Sequence, residues 1–320
     1  MLHASFANGR YTSTVLTVLS MLVFVAAYWL PASADALWQP LHPSFMSGAV
    51  SRMLSTFVYL LAAFLLSRQT FFDHSVRWKG ALYLWFVSLS VFCNGNAVSA
   101  FAALLFLFSF VLLFFAQYSA NAVGLLYTSF MLLGVLSFVT PYSVYFLPLY
   151  LLFCSMTNTL SGRGVAASLL GLFTPFWLVM GTAYVLPGVD GVAESFMAGV
   201  CAVFEVNVPP FSILDLLLLI LVLVVLLPAA VIFAGGSSPT KPLLRRRFSF
   251  IIVAELYMLL LCLVVCGGAA LFYTCQLPFL AILASYTLAR KETKLSNIYF
   301  VILNVIMIAI ATSTLWLDSW

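Results

Sequence analysis

The feature that most constrains this chain is the recurrence of uncharged apolar runs long enough to cross a bilayer. Run 211–234 is the plainest, since its single charge is Asp215 and positions 216–227 are all Leu, Ile or Val. A transmembrane helix needs about 20 predominantly apolar residues for about 30 Å of hydrocarbon. Further runs lie at 11–30, 48–67, 80–93, 97–116, 122–139, 142–156, 165–186, 248–272, 277–289 and 298–317. With 64% of residues hydrophobic and 7% charged, too few charges remain to cover a soluble surface, which takes about 25%. The expectation is an all-α, polytopic helical membrane protein, residues 1–320 forming one integral membrane domain.

The span count is about eleven, falling to nine if both short runs, 80–93 and 277–289, fail to cross. A helix of that length covers only about 21 Å at 1.5 Å per residue, so these two are expected to be tilted poorly, broken or re-entrant. The first run reads as an uncleaved anchor, although Ala32-Ser33-Ala34 imitates a signal-peptide cleavage site.

Charge placement sets the orientation. With eleven crossings, every Lys and Arg but Arg52 falls on one side, which the positive-inside rule makes the cytoplasm. The N-terminus is then cytoplasmic, and so is a basic loop, 235–247, with Lys241, Arg245, Arg246 and Arg247. The other side receives Asp35, Asp190, Glu194, Glu205 and Asp318, most of them in two longer outer loops, 31–47 and 187–210.

Ionisable residues within or beside the spans are the functional candidates, because burying one costs about 2.5–3.5 kcal/mol even on insertion scales. Arg52 lies about 6 Å inside the outer end of the second span. It either snorkels to the headgroups or forks onto a phosphate or carboxylate, and Asp35 and His42 in the preceding loop would share that cavity. Glu255 lies in the ninth span, at about 10 Å depth on the cytoplasmic half. It is a proton carrier, a cation ligand, or a carboxyl hydrogen-bonded to a neighbouring helix. Asp215 reads as an interfacial helix cap. The Arg245-Arg246-Arg247 cluster locks topology and attracts anionic lipid.

Other chemistries find no support. Of the six Cys, Cys262 and Cys266 read as helix packing, and no bridge between Cys93 and Cys275 is expected. No nucleotide-binding, zinc-protease or nucleophile-elbow motif occurs, and the basic patches are too short and juxtamembrane for nucleic acid. No cofactor or metal site is evident. A divalent cation held by Glu194 or Glu205 is the one option left open, without a metal motif behind it.

Asn94-Gly95-Asn96, then Phe146-Leu147-Pro148-Leu149-Tyr150, Arg163 and Leu170-Gly171-Leu172-Phe173-Thr174-Pro175-Phe176-Trp177 carry a resemblance. Over about 48–290 the chain resembles a multi-pass inner-membrane family of Gram-negative bacteria, itself a domain of unknown function. Its architecture is similar to that of multi-pass glycosyltransferases that use polyprenyl-phosphate sugars. The resemblance implies an inner-membrane protein whose first outer loop holds a catalytic base, matched by Asp35, with Arg52 on the lipid phosphate and His42 positioning it. Those enzymes have a pair of acids in that loop, where this chain has one, and a large periplasmic domain. The first expectation is therefore activity on a lipid-linked sugar at the outer face. The alternatives are a carrier or flippase coupled through Glu255, and a non-catalytic membrane subunit of an envelope complex.

Overall fold

The computed structural model describes residues 18–22, 25, 48–68, 79–89, 97–117, 119, 121–159, 161–185, 213–234, 242–289, 299 and 301–306. Among them the secondary structure is helical, with no strand. Six of these helices are long and apolar enough to cross a membrane, and 141–156 and 218–234 are shorter apolar stretches.

By internal contacts the chain divides into two compact units: residues 1–100, 210–259 and 276–320, and residues 101–209 and 260–275. In the first, α1 (Gly48–Arg68) packs on α2 (Lys79–Leu89). Gly80 permits that approach, because a Cβ there would stand 2.6 Å from the Ala63 carbonyl oxygen. The Tyr59 and Tyr83 rings meet across the same seam at 6.5 Å.

The second unit contains most of α3 (Ala97–Ala116), with α4 (Ala122–Val139), α5 (Leu147–Met156) and α6 (Gly162–Val185). Asn121 opens α4 by accepting the Gly124 amide on its side chain at 3.3 Å. Pro141 starts a 3-10 segment, Pro141–Phe146, before α5, so the run 142–156 is a composite rather than a single α-helix. The end of α5 is closed by a left-handed residue, Asn158, at φ 54°. The Thr159 amide bonds back to Cys154 and the Asn158 amide to Ser155, at 3.1 and 3.2 Å, which satisfies carbonyls that would otherwise be orphaned. Ser161 then caps α6 through the Gly164 amide at 3.1 Å.

Helices α4 and α6 cross through glycines. A Cβ on Gly134 would stand 2.6 Å from the Leu172 carbonyl oxygen, and one on Gly171 would collide with that of Tyr127. Small residues allow membrane helices to approach this closely and gain van der Waals contact. The outward face of α6 is apolar, with Phe173 and Trp177 exposed, as suits a helix against lipid.

Helices α7 (Ile213–Ala234), α8 (Pro242–Val264) and α9 (Ala269–Ala289) follow. Here the hydropathy reading is corrected. The run 248–272 is not one span: the chain turns at a 3-10 segment, Cys266–Gly268. The run 277–289 is therefore not a short helix but the second half of the 21-residue α9. Gly267 and Gly268 supply the break, and Tyr142 occupies the space a Cβ on Gly267 would need. Apolar glycines and alanines hide such a turn from a hydropathy window. Pro278 remains inside α9. It lacks an amide N–H, so the helix is one backbone donor short there.

Candidate functional site

Helix α8 carries a buried stripe at helical spacing, Phe248, Ile251, Glu255 and Met258. Three of its members are apolar; the fourth is a carboxylic acid. In the first unit, Phe248 packs on Phe233 of α7 at 5.7 Å and on Tyr286 of α9 at 4.3 Å. These rings hold the stripe inside the protein, and Glu255 is 0% exposed.

The turn at 265–268 also shortens the apolar helix that holds Glu255. Past the three arginines the apolar part of α8 is 248–264, so Glu255 stands about 10 Å from one end and about 14 Å from the other, near the middle of the span. Read as one span, the run 248–272 puts it on the cytoplasmic half. Gln276 follows the first residue of α9 by about two turns, and Glu255 precedes the last of α8 by about two and a half. The two are thus at matching depth on consecutive helices.

Gln276 is the side chain beside the Glu255 carboxyl, and it too is 0% exposed. Gln276 acts on the carboxyl as a hydrogen-bonding neighbour, although the contact falls outside strict hydrogen-bond geometry. Both carboxyl oxygens and both amide heteroatoms lack any other partner among the described residues. Hydropathy does not mark Gln276, because the apolar run begins one residue later, at Leu277. A polar amide inside a 21-residue apolar helix becomes visible only once the Gly-Gly turn is recognised.

The remaining sequence candidates separate. Asp35, His42, Asp190, Glu194, Glu205 and Lys241 lie outside the described residues, as do loops 31–47 and 187–210 and Cys93. The convergence of Asp35 and His42 on Arg52 lies outside them too. Arg52 is half-buried on the first turns of α1, and its carbonyl accepts hydroxyl bonds from Ser55 at 3.0 Å and Thr56 at 2.7 Å. Arg245 and Arg246 are exposed, whereas Arg247 is turned inward and buried. The Arg245 guanidinium lies over the Phe233 ring at 5.7 Å. That leaves two of the three arginines facing outward.

Among the described residues no group of three His, Cys, Asp or Glu could hold a metal ion. Lys79, at the head of α2, is buried, and burial lowers its ammonium to about 8. Compared with protein-family models, curated proteins and solved structures, the chain shows no match.

Proposed function

We propose that the chain is a carrier of the bacterial inner membrane, moving a small or lipidic substrate across the bilayer with Glu255 as its coupling group. One observation carries this reading: a fully buried carboxyl near the middle of a span, beside a buried carboxamide. An ionisable group at that depth is costly, and it is the kind of group that transporters place at the midplane. We further propose about eleven crossings with a cytoplasmic N-terminus, from the segregation of the cations.

The test uses cells that lack the protein, complemented with the wild type, Glu255→Gln or Arg52→Lys, in which lipid-linked glycans and small metabolites are profiled on both sides of the membrane. A carrier changes where a compound is found and leaves its chemical form alone, and Glu255→Gln abolishes the redistribution while the protein remains in the membrane. If Glu255→Gln matches the wild type, the coupling role is wrong. Chemical conversion of a lipid-linked sugar that is lost in Arg52→Lys would instead establish the outer-face transferase, because Lys lacks the planar fork needed for bidentate phosphate binding.

A further inference from the structure

We infer that Arg245 and Arg246 form a docking site for one anionic phospholipid, with its phosphate on the two guanidiniums and its acyl chains along α8. The arginine cluster immediately precedes the apolar stretch 248–264 of that helix. With that stretch in hydrocarbon, the cluster lies at headgroup level. Phe233, on the last turn of α7, stands at the same level, because the Arg245 guanidinium lies over its ring at 5.7 Å.

The three arginines are not equivalent. Arg247 is buried, whereas Arg245 and Arg246 are exposed. The ring under Arg245 also packs on Phe248 at 5.7 Å, which seats the guanidinium over the seam between α7 and α8. That ring attracts the cation through its quadrupole and carries no net charge, so Arg245 keeps its whole charge for an anion. No acidic residue stands in the first turn of α8. Glu255, on the same helix, is fully buried and about 14 Å further along. Adjacent cations repel each other, and a shared anion turns that repulsion into attraction. Guanidinium is the side chain best shaped to fork onto phosphate oxygens.

Charge alone suits any soluble anion; the face below the arginines selects a lipid. Val253 follows Arg246 by about two helical turns, and Leu256 follows Arg245 by about three. Both are exposed, so the outward face of α8 runs from cations at the boundary onto an apolar strip. A phospholipid has the same order, with phosphate at the boundary and hydrocarbon beneath it. Each cation beside a membrane helix strengthens attachment to anionic lipid by about fivefold.

Native mass spectrometry tests the full-length protein in mild detergent, titrated with phosphatidylglycerol or phosphatidylcholine of the same acyl chains. We expect one saturable phosphatidylglycerol, bound roughly thirtyfold more tightly than phosphatidylcholine. Replacing both arginines, Arg245→Gln with Arg246→Gln, should abolish that preference, and Arg246→Gln alone should cut it about fivefold. Arg163→Gln, which removes an exposed cation from the start of α6, should leave it intact. Gel filtration certifies each variant, and if the double variant does not fold, Arg246→Gln decides. Equal binding of the two lipids by the wild type overturns the inference, and so does a preference undiminished in the folded variants. An equal loss in Arg163→Gln would reduce the effect to overall charge and end the site. Displacement of phosphatidylglycerol by equimolar inorganic phosphate would give the arginines to a soluble anion instead. None of these outcomes touches Glu255, so the carrier reading stands or falls separately.

Discussion

The Tyr150 hydroxyl donates to Ser109 Oγ at 2.8 Å, joining α5 to α3 in the interior of the unit formed by residues 101–209 and 260–275. Ser109 in turn bonds the Ser129 carbonyl at 2.8 Å, and Ser129 Oγ returns a bond to the Ser109 carbonyl at 3.0 Å. The Phe110 and Phe130 rings enclose Tyr150 at 4.7 and 5.5 Å. Here every hydroxyl is satisfied, which is the mark of a packing device.

This network predicts an inversion of size and effect. Tyr150→Phe deletes one donor and leaves Ser109 with Ser129, so it should cost about 0.5–1.5 kcal/mol. Ser109→Ala removes fewer contacts with its surroundings but strands the buried Tyr150 hydroxyl, which should cost about 1–3 kcal/mol. Reversible unfolding in mixed micelles measures both. A larger loss in Tyr150→Phe would show that the network is not what ties these helices.

The glycine crossing of α4 and α6 gives a paired prediction. Gly171→Ala would drive a methyl into the Tyr127 carbonyl and should destabilise the protein by about 1–3 kcal/mol, the usual penalty for overpacking. Gly181→Ala, on the same helix with open space around it, should be neutral or gain up to about 1 kcal/mol from helix propensity. Thermal unfolding of the two variants side by side checks the contrast. Equal melting temperatures would deny the close approach.

Lys79 predicts a pH dependence. Its folded form gives up a proton near 8 because burial disfavours the ammonium, whereas in the unfolded chain it does so near 10.4. Between those values the unfolded state binds more protons, so stability rises with pH across that window and the penalty is complete below it. The effect should be at most about 3 kcal/mol. In Lys79→Gln the rise from pH 8 to pH 10 should flatten, as read by unfolding at fixed ionic strength. An unchanged slope would mean that another group titrates there.

Orientation is testable by impermeant maleimide labelling in a background without native thiols. Ala193→Cys should react from outside intact cells, and Ser238→Cys only after the membrane is opened. The basis is the cation bias, which is strong over short loops. Labelling of Ser238→Cys from outside would invert the topology.

Much of the helical framework was legible in the residues themselves. Ala97–Ala116 and Ala122–Val139 begin and end where the apolar runs do, because a backbone in hydrocarbon must satisfy its own hydrogen bonds and polar residues mark where that pressure stops. The burial of Glu255 was legible for the same reason. Only the tertiary structure decided that the chain turns at Cys266–Gly268, that Glu255 is therefore near mid-span, and that Gln276 lies beside it. It likewise paired Ser109 with Ser129 and placed Gly171 against Tyr127. Hydropathy sums the preference of a segment for lipid over water and carries no information about rotation around the helix axis. Which side chains meet, and whether a buried polar group finds a partner, depends on that rotation and on backbone approach, both set by packing against helices distant in sequence.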